Sequence, residues 1–189
     1  VFDKSFPLGL NDLNSKISFY DINDNYALIF NEDDDTPDMV KIENDEDYIP
    51  EGEEVVISCL KSNSHPKQGV MIYKIAYKDK SLVYATDTEG YVGANKKLVL
   101  FARDTDLLIH DAQYTSEEYL NAYFSKQGYG HSTFDMALET FSQAKAKSLA
   151  FFHFDPNYND EFLLEIENHY TENCKNCFIP KEGQEIVLR

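Results

Sequence analysis

The chain has too few cysteines and too few basic residues for several protein classes. Its three cysteines are Cys59, Cys174 and Cys177, a small and odd number. That count suits a reducing cytoplasm better than a disulfide scaffold. Lys and Arg total 17 against 34 Asp and Glu, a formal net charge of −17. Phosphate backbones are held by clustered Lys and Arg, so a long nucleic acid is not an expected partner. No apolar run approaches the roughly 18 residues of a membrane span, and no signal-peptide pattern is visible, so no membrane partner is expected. Internal repeats and low-complexity linkers are also missing. So is an initiator Met: the chain starts in mid-pattern with Val1-Phe2-Asp3-Lys4. That start suggests a processed or trimmed polypeptide, or one segment of a longer one.

What is present suffices for a core. Of the 189 residues, 42% are apolar, with 13 each of Phe and Tyr, and the length suits a single domain over 1–189. The acidic balance suits a neutral or cationic small molecule or a metal ion. A small anionic substrate would need a metal or a local basic group to offset the field. Residues 16–30 read as strand, turn and strand. The turn Asp21-Ile22-Asn23-Asp24-Asn25 begins like a calcium loop, but Tyr26 stands where that loop needs Gly and no Glu closes it, so calcium is rejected there. The acidic segment 31–48 reads as a solvated loop or hairpin. Strands are expected at 54–60, 70–77, 82–85, 105–112 and 148–154, with a closing strand in Gln184-Glu185-Ile186-Val187-Leu188-Arg189. Helices are expected within 91–103, from Ser116 as N-cap, over 131–146 and over 159–169. Strands alternating with helices give an α/β class with layered packing.

Four polar groups punctuate the apolar segments. His65 lies in a loop between strands, Asp87 ends the strand 82–85, His131 opens a helix after Gly128-Tyr129-Gly130, and His153 sits in an apolar strand before Asp155-Pro156. Singly, each reads as a hydrogen-bonded structural residue or a cap. Together they need four separate structural explanations, whereas one metal site explains all of them. Imidazole and carboxylate are ordinary ligands for borderline divalent ions, and a carboxylate can bridge two of them. The hydroxyls of Thr86 and Thr88 could then hold the Asp87 carboxylate by hydrogen bonds. Cys174-x-x-Cys177, with His169 near, lacks a fourth zinc ligand and reads as structural or free thiols.

These residues carry a resemblance. "SNSHPKQGVMIYKI", "SLVYATDTE", "DLLIHDAQYTSEEY", "GYGHSTFDMALETFSQAKAKSLAFFHFDP" and "YNDEFLLEIE" resemble the second half of a metallo-β-lactamase-fold hydrolase, in its phosphodiesterase and ribonuclease Z-like branch. The likeness covers roughly residues 54–189, and 6–22 extends it upstream. It implies the C-terminal half of an αββα sandwich holding two divalent ions: zinc, manganese or iron. By the same resemblance His65 binds one ion, Asp87 bridges both and acts in catalysis, and His153 binds the second. His131 sits beside the scissile phosphate as a hydrogen-bond or proton donor. Asp111 could orient a neighbour, and His110 reads as structural. The family's H-x-H-x-D-H motif is absent; none of the five histidines has that spacing. Either that half was removed or lies in another chain, or this is a truncated homologue without catalysis.

The resemblance implies a metal-dependent hydrolase attacking a small phosphodiester, such as a cyclic nucleotide, through a hydroxide shared by two ions. A related ester, such as a thioester or lactone, is open to the same attack. The alternatives are a ribonuclease Z-like RNA endonuclease and a non-catalytic binding or assembly module. A half-sandwich exposes an apolar face, so it must pair with the missing N-terminal half of the fold or with a second copy in a homo-oligomer.

Overall fold

The computed structural model describes residues 14–15, 17–24, 26–32, 34–42, 50, 52 and 54–188. They form one eight-stranded mixed sheet with four helices. The strands are β1 (Tyr26–Phe30), β2 (Asp38–Lys41), β3 (Val55–Ser62), β4 (Val70–Tyr77), β5 (Lys80–Ala85), β6 (Leu107–Asp111), β7 (Leu149–Phe152) and β8 (Cys177–Phe178). Their order across the sheet is β2-β1-β3-β4-β5-β6-β7-β8. Pairing is antiparallel as far as β5 and parallel from β5 to β8. The helices are α1 (Lys96–Phe101), α2 (Ser116–Tyr119), α3 (Phe134–Ala144) and α4 (Asp160–Thr171).

The sequence pattern explains the two halves of the sheet. In β4 the side chains alternate: Ile72 and Ala76 are buried while Tyr73 and Tyr77 are exposed. That period-two pattern belongs to an antiparallel strand with one covered face. In β6 four of five residues are buried, as a parallel strand flanked on both edges requires. α3 starts at the N-cap Thr133, whose hydroxyl accepts from Met136 N, and buries Phe134, Ala137, Thr140 and Ala144. Phe134 lies 5.4 Å from Phe151 of β7 and 5.7 Å from Tyr170 of α4, centroid to centroid. Together with Leu98 of α1, these residues cover Ile72, Val83, Leu108 and Leu149 on one face of the sheet. The opposite face carries Tyr73, Tyr77, Tyr84 and Phe152, each 36–40% exposed. One sheet with helices on one face amounts to half of an αββα sandwich.

Several expected boundaries move. Residues 17–23 form no strand, so of the strand–turn–strand reading only β1 stands; Lys16 and Asn25 lie outside the described residues. The acidic segment contains β2, paired antiparallel with β1; Asp33 and 43–48 lie outside the described residues. The N-cap of α2 is Thr115, not Ser116: its hydroxyl accepts from Glu118 N, and Glu118 accepts from Thr115 N. α3 begins at Phe134, three residues after His131. β7 ends at Phe152, which leaves His153 just beyond the strand instead of inside it. Residues 184–188 form no strand, and the edge strand beside β7 is β8. Cys174 and Cys177 are joined by a disulfide in the turn after α4. The small cysteine count therefore does not keep this pair reduced, and the free thiol is the buried Cys59.

Candidate metal centre

Three parallel strands deliver the site to one edge of the sheet. Asp87 lies two residues past β5, Asp111 ends β6, and His153 follows β7 directly. Asp87 and His153 both adopt left-handed backbone, with φ of 53° and 64°. That conformation costs an L-residue on the order of 1–2 kcal/mol, and Asp and His are among the types that tolerate it best. The two residues stand at the tips of β5 and β7. His153 Nε2 lies 3.3 Å from Asp87 Oδ1.

His131 joins the two sides. Its ring stacks on His153 at 5.0 Å between centroids and meets His65 edge-on at 5.6 Å. Two groups of ligand-bearing side chains result, each with its donor atoms within 4.8 Å of one another: His65, Asp87 and His131, and Asp111, His131 and His153. Imidazoles with carboxylates suit a borderline divalent ion. All four residues singled out in the sequence thus meet at one place, and Asp111 joins them.

Asp111 is fully buried. Its Oδ2 accepts from His131 Nδ1 at 2.9 Å, and its Oδ1 accepts from Ser132 N at 2.9 Å and Gln113 N at 3.3 Å. Burial alone would lower the His131 pKa. The hydrogen bond and charge of Asp111, with the charges of Asp87 and Glu89, outweigh it and hold the imidazole above its ordinary value. With Nδ1 engaged, Nε2 is the ring's remaining nitrogen for chemistry.

A buried polar lattice supports these residues. Ser64 Oγ bonds Ser62 Oγ and Thr88 Oγ1, both at 2.6 Å. Ser132 Oγ donates to Thr88 O at 2.6 Å and accepts from Gly90 N at 2.9 Å. Thr88 therefore ties the His65 and His131 loops together. Among the described residues, neither Thr88 nor Thr86 bonds the Asp87 carboxylate, so their expected role as its support is corrected. Glu89, nearly buried, accepts from Gly128 N at 2.6 Å, Gly130 N at 3.1 Å and the Tyr119 hydroxyl at 2.5 Å. Gly130 has φ 95°, and a Cβ there would lie 2.5 Å from His65 Cδ2. Only glycine lets the imidazole approach that closely. Sequence reasoning missed Glu89, Ser132 and Gly130; their signal lay in the polar runs beside Asp87 and His131.

A family profile described as "Beta-lactamase superfamily domain" matches residues 19–154. The chain is 36% identical over 122 residues to ribonuclease Z of Thermococcus sibiricus, covering 65% of this chain and 32% of that protein. It is 34% identical over 108 residues to ribonuclease Z of Pyrococcus furiosus, covering 57% of this chain and 31% of that protein. It therefore spans about a third of the length of the curated relatives it matches. The crystal structure of the metallo-beta-lactamase fold protein YhfI from Bacillus subtilis aligns with a TM-score of 0.53 at 19% identity, over 69% of this chain and 47% of that one. That likeness is one of fold.

Proposed function

This chain belongs to the beta-lactamase superfamily, and from that premise we propose that the full-length protein is a metal-dependent hydrolase of small phosphodiesters such as cyclic nucleotides. The observation that carries the reading is the convergence of His65, Asp87, His131 and His153 at one strand edge, in groups of donors within 4.8 Å. The donor set fits zinc, manganese or iron. His65 and His153 would each hold one ion and Asp87 would bridge them, with the remaining ligands coming from an H-x-H-x-D-H segment that this sequence lacks. Bound there, two divalent ions offset phosphate charge and lower the pKa of water toward neutrality.

The chain's own residues then divide the work. The Asp111 carboxylate keeps a proton on His131 Nδ1 and fixes the ring. His131 Nε2 donates a hydrogen bond or a proton to the leaving oxygen. Strand-tip placement holds Asp87 and His153 rigidly, which preserves the geometry needed for attack. The test uses the full-length protein with manganese or zinc, assayed on cyclic nucleotides and on bis(p-nitrophenyl) phosphate, with metal content measured in parallel. Hydrolysis that disappears in Asp87→Ala supports the reading. Absence of bound metal, or unchanged activity in Asp87→Ala, would overturn it.

A second reading is a ribonuclease Z-like RNA endonuclease, which the 36% identity to a ribonuclease Z favours. The net charge of −17 weighs against a long RNA on this part of the protein. Cleavage of a structured precursor RNA in preference to the small esters would select that reading.

A further inference from the structure

We propose that Glu89 is a positioning residue for His131: its buried carboxylate anchors the loop that enters the site at that histidine. The inference rests on the hydrolase reading. Glu89 stands two residues past Asp87, in the turn after β5. Its Oε2 accepts from the N–H of Gly130, the residue before His131, at 3.1 Å. Its Oε1 accepts from Gly128 N at 2.6 Å and from the Tyr119 hydroxyl at 2.5 Å. One carboxylate thus joins the Asp87 turn, the end of α2 and the chain entering His131.

Its partners set Glu89 apart from the other buried acids. Among the described residues the buried acidic side chains are Glu89, Asp106 and Asp111. Asp106 faces Lys147 and Lys80, and Asp111 faces His131. Glu89 makes no ion pair among the described residues. A buried charge must be met by a counter-charge or by hydrogen bonds. Here two backbone N–H groups and a phenol meet it, and such charge-assisted bonds are the strong ones. The carboxylate is directed at backbone 39 and 41 positions away, so it ties segments together.

The loop that Glu89 holds has no anchor in the core. Residues 120–129 are exposed except for the half-buried Lys126, and none of their apolar side chains is buried. Ser125 Oγ and Lys126 N donate to Tyr119 O at 3.2 and 3.1 Å, which ties the loop only to its own start. Beyond Gly130, Asp111 accepts from Ser132 N and from the His131 ring. His131 is therefore gripped on both sides, by Asp111 after it and by Glu89 before it. Without the Glu89 grip, motion of an exposed loop reaches the imidazole. A catalytic group displaced by about 1 Å loses on the order of 10²-fold in rate.

The experiment compares the metal-loaded full-length protein with Glu89→Gln, which keeps the shape but sets an NH2 group against a backbone N–H. On bis(p-nitrophenyl) phosphate, kcat should fall on the order of 10²-fold and KM should change less than about threefold. Bound metal should stay at the wild-type level. In a His131→Ala background the same substitution should add less than about threefold, because Glu89 acts through His131. Tyr119→Phe removes only the phenol and should lower kcat about threefold. Asp106→Ala, a lesion at the opposite end of the strands, controls for stability alone. Protein labelled with [15N]histidine gives a readout without turnover: the His131 ring signals should shift in Glu89→Gln and stay in place in Asp106→Ala. Wild-type kcat or unmoved His131 signals in folded Glu89→Gln would overturn the role of Glu89 while leaving the hydrolase reading intact. So would equal losses with and without His131, or a loss of bound metal. If Glu89→Gln does not fold, an unchanged kcat in Tyr119→Phe overturns it instead. If the wild type hydrolyses no phosphodiester, the hydrolase reading falls, and the His131 signals alone decide Glu89.

Discussion

Strands β5, β6 and β7 carry carboxylates at both ends, and the two ends treat them differently. At the N-terminal end, Asp106 is 6% exposed and is fully satisfied. It accepts from Ser81 N and Lys147 Nζ, each at 2.8 Å, while Thr105 Oγ1 donates to Ser81 O at 2.9 Å. Burial would raise the Asp106 pKa, but Lys147, Ser81 N and Lys80 together hold the carboxyl below its usual value. At the C-terminal end, Asp87 and Asp111 meet imidazoles in place of ammonium groups. Left-handed residues occur near both ends, but Lys145 is a helix C-cap, where that backbone is ordinary. Asp87 and His153 stand just past β5 and β7 instead. A carboxylate placed for stability comes with a cation. Asp87 and Asp111 come with imidazoles and, among the described residues, with no ammonium group.

The sharpest way to break this contrast is at Asp87. Asp87→Gly should lower the activity of the full-length protein on the order of 10³-fold. The same change should leave the unfolding midpoint unchanged or raise stability by up to about 1 kcal/mol, because glycine adopts φ 53° without steric cost. Retained activity, or a large loss of stability, would remove Asp87 from the functional end. Gly130→Ala comes next. The new Cβ sits 2.5 Å from His65 at φ 95°, so the imidazole must move. A displacement of about 1 Å at a catalytic edge costs on the order of 10²-fold. Kinetics and metal stoichiometry check it together, and a variant with wild-type values for both would show that His65 has no fixed place in the site.

How much of this was legible in the sequence follows the same division. From β3 to α4 the strand and helix order was, because the apolar runs and the signal at Phe134, Ala137 and Phe141 are local. The four candidate site residues were legible because each is a polar group in or beside an apolar segment, at its end or in the adjoining loop. What failed was long-range or conformational. Thr88 was assigned to its neighbour Asp87, yet its hydroxyl reaches Ser64, 24 positions away. Glu89 read as part of a turn, yet it clamps backbone 39 and 41 positions on. His153 looked internal to a strand because nothing in Phe151-Phe152-His153-Phe154 announces a left-handed residue. The closing strand was misread because a short run carries no record of which segment forms the edge strand beside β7.

The opposite end of the strands gives the complementary test. Asp106→Ala leaves Ser81 N without its partner and frees Lys147, so stability should fall by about 1–3 kcal/mol. Activity per folded molecule should be unchanged, since the site is supported from the other end. Chemical denaturation measures the first and kinetics on the folded fraction the second. A matching loss of kcat would mean that the two ends are coupled through the strands.

The smallest expected effect lies between the ends, at His110. This residue is fully buried in β6, and its Nδ1 donates to Asp111 O at 2.8 Å. Its Nε2 has no partner among the described residues, so protonation would place an unpaired charge in the core. Burial therefore holds its pKa below the ordinary 6.5. The folded value is depressed, so the neutral ring contributes stability that is present above about pH 6.5 and is lost as pH falls. His131 has the opposite sign: its raised pKa adds stability below its unfolded value, and that stability is lost as pH rises. The wild-type slope between pH 7 and 5 is thus a difference of two terms, and His110→Leu removes only one of them. The variant should be about 1 kcal/mol less stable at pH 7, for the lost hydrogen bond. Its gap from the wild type should narrow toward pH 5, as the wild type alone meets the cost of charging a buried ring. A gap that stayed constant across that range would mean that His110 does not titrate differently on folding, and that the core beneath Asp111 admits a charge.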